Sequence, residues 1–228
     1  DENSTGITFE YEYNRLKEKT LPNTGIVGSV KYEYGQLNDG QNGAGRVTKV
    51  TTGLLQNGNS SEYLVEDYSY DILGNVKQED KTISIPKVGK RQFRTRYRYD
   101  SWGRLLSMVY PNDERVEYTY FEDGGGELLH ITSEIPGVSP YTIVDNQLYD
   151  GFGNLKLQAM GNGTENKFTY NQTTRRLETQ VLEGSNSTLL NKTFSYDDRG
   201  NVEKVENVLS GSTLGANYEV NYTYDDVN

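Results

Sequence analysis

Cysteine is absent from this 228-residue chain, so it forms neither disulfides nor thiolate metal sites. Histidine occurs once, at His130, and any histidine–carboxylate dyad would have to use it. No G-x-S-x-G, H-E-x-x-H or phosphate-loop pattern occurs, which leaves an enzymatic function without a residue constellation behind it. No run of about 18 apolar residues exists, so no membrane-crossing helix and no membrane insertion are expected. Basic residues are outnumbered 23 to 33, giving a net charge of −10. That is the wrong sign for a nucleic-acid binder. The opening residues "DENSTGITFEYEY" lack the basic and apolar regions of a signal peptide. Because they run straight into a tyrosine pair, the chain is expected to be an excised segment of a longer polypeptide.

Aliphatic residues are also scarce. Leu, Ile, Val and Phe together supply 51 residues, about 22% of the chain, just above the range of disordered sequences. The 19 tyrosines offset this shortage. Each buried ring removes roughly 150–250 Å² from water while its hydroxyl stays at a wet edge. A thin, tyrosine-lined core is therefore expected.

What the sequence has is repetition. "YSYDILGNV" from Tyr68, "YRYDSWGRL" from Tyr97, "LYDGFGNL" from Leu148 and "FSYDDRGNV" from Phe194 are versions of one unit. Aligned on the second aromatic, the copies place Tyr13, Tyr34, Tyr70, Tyr99, Tyr120, Tyr149, Tyr170, Tyr196 and Tyr224 in register. The steps between them are 21, 36, 29, 21, 29, 21, 26 and 28 residues, a short unit with loop insertions.

The unit reads as a β-hairpin. In "RQFRTRYRYD", Phe93, Thr95, Tyr97 and Tyr99 share one face, and Arg94, Arg96 and Arg98 the other. Asp71 and Gly74 sit at the first and fourth positions of a type I turn followed by a left-handed residue. Asp100 with Gly103, Asp150 with Gly153 and Asp197 with Gly200 repeat the arrangement. Val47 and Val50, and Val202, Val205 and Val208, are three apart, which fits neither strand nor helix and suggests bulges. "YNRLKEK" is the one stretch able to start a helix, soon ended by Pro22 and Gly25.

The pattern Y-x-Y-D-x-x-G-[RN]-[LV], with Tyr110-Pro111-Asn112 before the next Y-x-Y, resembles the YD repeat of the Rhs superfamily. That superfamily includes bacterial wall-associated proteins, cocoon-forming subunits of insecticidal toxin complexes, and teneurins. The resemblance runs from about Tyr11 to Asp225. It implies an all-β strip of consecutive antiparallel hairpins, curved or spiralling as an open sheet and part of a larger β-shell. It also implies one repeat domain over residues 1–228, about nine degenerate copies, in a secreted or cell-surface bacterial protein. Its implied partners are the remaining repeats of the same polypeptide, an encapsulated C-terminal segment, or a cell-surface glycan. Three departures stand out. Gln147 replaces an aromatic, "NQTTRRL" from Asn171 loses the glycine and gains a residue, and the self-cleaving aspartyl motif of toxin members is missing.

No catalytic, cofactor-binding or metal-binding residue is expected. Repetition favours packing over a private site, because a specific site is usually singular whereas packing needs recur with every copy. The candidate ligand or partner contacts are Trp102, Tyr97 and Tyr99, as an aromatic surface for a carbohydrate or a protein. Trp102 is expected to pack over the neighbouring hairpin, His130 to occupy a strand, and the Arg94–Arg96–Arg98 stripe to face carboxylates on adjacent strands. The Asp/Asn-Gly runs "NDGQNG" and "EDGGG" lack a calcium-loop pattern and are expected to be solvated turns.

Overall fold

A computed structural model of the chain describes residues 6–21, 27–37, 40, 42–56, 59–85, 87–122, 126–209 and 217–225. The described residues contain seventeen β-strands and no helix. The chain divides into two compact units, Asp1–Arg115 and Val116–Asn228.

The first unit holds β1 (Thr8–Glu12), β2 (Arg15–Thr20), β3 (Val27–Tyr34), β4 (Val47–Gln56), β5 (Asn59–Tyr70), β6 (Val76–Ile85), β7 (Gly89–Tyr99) and β8 (Leu105–Val109). Each strand pairs antiparallel with the next. The second unit takes up at β9 (Arg115–Tyr120), followed by β10 (Leu128–Glu134), β11 (Tyr141–Tyr149), β12 (Leu155–Met160), β13 (Glu165–Tyr170), β14 (Leu177–Glu183), β15 (Thr188–Tyr196), β16 (Val202–Asn207) and β17 (Tyr218–Asn221). From β10 to β17 the same consecutive antiparallel pairing holds. The hairpin expected from the sequence is the repeating element of both units.

The predicted bulges are present and recur. Tyr70 pairs with Val76 but Ser69 pairs with Gln78, leaving Lys77 as the extra residue. The register shifts in the same way at Tyr34–Val47, Tyr99–Leu105, Tyr149–Leu155, Tyr170–Leu177 and Tyr196–Val202. Each bulge moves the strand by one residue, so apolar positions fall three apart instead of two. Val47 with Val50 and Val202 with Val205 are accounted for, while Val208 lies beyond the end of β16.

"YNRLKEK" is not helical. Tyr13 and Asn14 form a tight turn, Tyr13 at φ 56°, and Arg15–Thr20 returns as β2 against β1. Seven residues are too few for a helix to hold alone, and the pairing with β1 engages the same backbone. The register also moves the first copy. Tyr11 faces Leu16 as Tyr70 faces Val76, so Tyr11 is the second aromatic of the first pair and Tyr13 belongs to the turn.

Among the described residues, the buried apolar side chains are Tyr70 in the first unit and Val116, Val144 and Leu209 in the second. Tyr99, Tyr149, Tyr170 and Tyr196 are half-buried. This is the thin, tyrosine-rich interior that the composition required. No helix among the described residues is long and apolar enough to cross a membrane.

Candidate functional site

The four Asp-Gly turns share one hydrogen-bond pattern. In the first, the Asp71 N–H donates to the Asn75 carbonyl (2.9 Å) and the Gly74 N–H to the Asp71 carbonyl (3.1 Å). Oδ1 of Asp71 accepts the N–H groups of Leu73 and Asn75, and Oδ2 accepts the Asn75 side-chain amide at 3.0 Å. Asp150 repeats every one of these contacts. At Asp100, Arg104 Nε takes the place of the Asn amide, 2.7 Å from Oδ2. The glycines stand at φ 90°, 79°, 82° and 95° for Gly74, Gly103, Gly153 and Gly200, as the turn assignment requires.

This geometry lowers the turn carboxyls below the usual aspartate range. At Asp71 and Asp150 the side-chain amide of Asn75 or Asn154 contributes most, with backbone N–H groups adding to it. At Asp100 and Asp197 desolvation opposes the shift, and bonds from Arg104 and Asn201 outweigh it.

"NQTTRRL" builds the longer turn that its extra residue demands. Oδ1 of Asn171 accepts the N–H groups of Thr173 and Thr174, and the Arg175 N–H donates to the Asn171 carbonyl. Arg175 takes the left-handed position, at φ 62°, that glycine fills elsewhere. Its guanidinium lies 3.6 Å from the centroid of the Phe152 ring. The Tyr110-Pro111-Asn112 element keeps the shorter, Asp-Gly length, with the Asp113 N–H donating to the Tyr110 carbonyl and Asp113 left-handed at φ 62°.

In six copies a second device joins the hairpin to the one before. The hydroxyl of the second aromatic donates to the backbone carbonyl of the first or second residue of the previous return strand. Tyr34 bonds Leu16 (2.9 Å), Tyr70 bonds Val47, Tyr149 bonds Leu128 (3.0 Å) and Tyr170 bonds Leu155 (3.0 Å). Tyr196 bonds Leu177 (2.8 Å) and Tyr224 bonds Val202 (2.9 Å). Where arginine precedes that residue, it covers the same ring. Arg15 lies over Tyr34 at 5.3 Å, Arg46 over Tyr70 at 5.6 Å and Arg176 over Tyr196 at 5.4 Å. A Cβ added to Gly74 or Gly200 would run into the guanidinium of Arg46 or Arg176, whereas one at Gly153 would meet open space. Glycine is thus needed twice at Gly74 and Gly200, for its φ and for the arginine beside it.

Gln147 fits the same scheme. It is 3% exposed, with Oε1 2.8 Å from the Tyr149 hydroxyl and Nε2 unpartnered. The amide turned end for end donates from Nε2 to the phenol oxygen, leaving the single phenolic proton for Leu128.

Of the three candidate contact residues, two lie side by side on one strand and the third stands at the turn that follows it. Tyr97 and Tyr99 stack along β7 with ring centroids 6.5 Å apart, and the Tyr97 hydroxyl lies 3.4 Å from Glu79. Trp102 stands at a turn tip, 71% exposed. The guanidinium of Arg104, in the same turn, lies over its ring at 4.7 Å. His130 lies in β10 with Nδ1 2.8 Å from the Asp145 carbonyl. In the arginine stripe, Arg94 bonds Asp80 through two nitrogens (2.6 and 3.2 Å) and Arg96 pairs with Asp113 at 3.6 Å. Among the described residues no group of three or more His, Cys, Asp or Glu side chains is placed to hold a metal. The runs "NDGQNG" and "EDGGG" lie partly outside the described residues.

Surface grooves follow the repeat as well. One of about 480 Å³ runs between Lys17 and the Tyr32–Tyr34 pair, and one of about 430 Å³ between Glu203 and the Tyr222–Tyr224 pair. They occupy equivalent places in two hairpins. The Tyr–carbonyl latch and its covering arginine escaped sequence reasoning, although the recurring arginine before Leu16, Val47 and Leu177 was a visible signal.

No family model matches the chain. The double-stranded DNA deaminase toxin A of Burkholderia cenocepacia is 28% identical over 154 residues, covering 63% of this chain and 10% of that protein. A crystal structure of TcdB2-TccC3 without its hypervariable C-terminal region matches with a TM-score of 0.69 at 15% identity, over 97% of this chain and 12% of that one. The Photorhabdus luminescens Tc holotoxin pore matches with the same TM-score at 16% identity, over 97% and 12%. The chain therefore spans about a tenth of the length of these proteins. The structural likeness shows the fold: antiparallel hairpins in the arrangement of a small part of the TcdB2-TccC3 structure.

Proposed function

We propose that this chain is a non-catalytic structural segment of a secreted or surface Rhs-type protein, and that it contributes wall to a β-shell enclosing or presenting another polypeptide. The observation that carries this reading is the recurrence of the latch. Six tyrosines at equivalent positions make the same bond to the hairpin before them. Such a device specifies how one hairpin is added to the last and can run on through any number of copies. The match to a small part of a much longer toxin structure supports the same reading, as does the toxin relative. On this reading residues 1–228 act as one stretch of repeats, with the neighbouring repeats as partners.

Limited proteolysis of the longer polypeptide that contains this chain tests the proposal. A wall segment leaves the enclosed portion intact while that same portion, expressed without the repeats, is degraded. Equal degradation with and without the repeats would overturn it.

A further inference from the structure

The hairpin of β6 and β7 extends beyond its neighbour. β7 pairs with β6 from Arg96 out to Gly89, but with β8 only over Arg96–Tyr99. Among the described residues no strand pairs with Gly89–Thr95 on the side away from β6, and Gly89–Arg94 are all exposed. Seven residues of open strand edge remain. The backbone groups along such an edge are a template for another strand.

The edge is also chemically distinct from the rest of the chain. Residues 81–98 carry seven basic residues and no acidic one, within a chain of net charge −10. Arg94 and Arg96 reach Asp80 and Asp113. Lys87, Lys90 and Arg91 have no ion pair among the described residues. Lys90, Gln92 and Arg94 line one face of the edge, and Arg91 and Phe93 the other, with Phe93 42% exposed.

We propose that this edge of β7 takes an acidic, extended segment of a separate polypeptide as an added strand. The inference is independent of the shell reading, which needs no occupant here. Charge selects the occupant. A second copy pairing through the same edge would set lysine and arginine against lysine and arginine, a like-charge arrangement that rejects it. An acidic strand places carboxylates opposite Lys90 and Arg94 on one face and small apolar side chains beside Phe93 on the other, while its backbone completes the ladder.

The test uses the whole chain and a fluorescein-labelled nine-residue peptide of alternating glutamate and valine, read by anisotropy. Binding is expected, together with no binding of the lysine–valine counterpart. N-methylation of alternate amides should abolish it, because it removes the ladder donors while keeping the charge. Replacing Lys90→Glu and Gln92→Glu together, which reverses the charge on the face that meets the glutamates, should weaken binding at least about tenfold. Lys90→Gln serves the same purpose if the first variant does not fold. Absence of binding, or equal binding of the N-methylated peptide, overturns the proposal. A heparin fragment that binds with the same dependence on Lys90 while the acidic peptide does not would also overturn it, as would self-association of the chain through this edge.

Discussion

The guanidinium of Arg46 lies over the ring of Tyr70, 5.6 Å from its centroid, while the Tyr70 hydroxyl donates to the carbonyl of Val47, the residue after that arginine. One hairpin thus holds the tyrosine of the next by its face and by its tip. The same pairing of contacts joins Arg176 with Tyr196 and Arg15 with Tyr34.

Glycine substitutions should separate the two demands on these turns. Gly153→Ala should cost about 1–2 kcal/mol, the penalty of a left-handed Cβ alone, because nothing lies within 4 Å of it. Gly74→Ala should cost more, since the Arg46 guanidinium must also leave the Tyr70 ring, a contact worth about 0.5–1 kcal/mol at an exposed site. In a double-mutant cycle measured by urea unfolding, Arg46→Ala should recover that excess. Equal costs at the two glycines would refute the second role.

Acid should loosen the Asp-Gly turns in a defined window. The folded-state values of Asp71 and Asp150 lie below the unbonded value of 3.8, so their contribution is complete above that value. It is lost as pH falls through the lower folded value. Carboxyl-carbon titration by NMR should place both midpoints below 3.8, and melting temperature should fall most steeply in the same range. A midpoint at or above the ordinary aspartate value would contradict the hydrogen-bond pattern described.

Arg175 holds a strained backbone and a ring contact at once. In a Phe152→Ala background, Arg175→Gly should stabilise the protein by about 1 kcal/mol through relief of the left-handed strain, less the small attraction between Arg175 and Asp150 that the change also removes. With Phe152 present the gain should be smaller by the worth of the ring contact, about 0.5–1 kcal/mol. Thermal melts of the four proteins check this. An identical gain in both backgrounds would mean that the Arg175–Phe152 contact contributes nothing.

Local features were the legible ones. Asp71 and Gly74 announced their turn because a side-chain acceptor and a left-handed position are needed three residues apart, and "RQFRTRYRY" announced its strand by alternation. Tyr13 was misplaced because the turn after β1 is tighter than the others, so the aromatic spacing no longer tracks the register. The link from Arg46 to Tyr70 and Gly74 crosses 24 to 28 residues, and only the pairing of β4 with β5 brings those ends together. The candidate contacts Tyr97, Tyr99 and Trp102 were picked for exposed aromatic character. That character belongs to the repeat at large: Tyr97 and Tyr99 stack on β7, and Trp102 stands at the turn tip.

The central claim is that each Y-x-Y-D copy is an equivalent unit of construction. The measurement that tests it is a set of single Tyr→Phe variants at Tyr34, Tyr70, Tyr170 and Tyr196, each compared with the parent by urea unfolding. Each variant deletes one latch hydroxyl and leaves its ring. The account predicts a similar loss at every position, about 0.5–1.5 kcal/mol. One variant with a dominant effect beside three silent ones would contradict it, and would mark that single tyrosine as part of a private site.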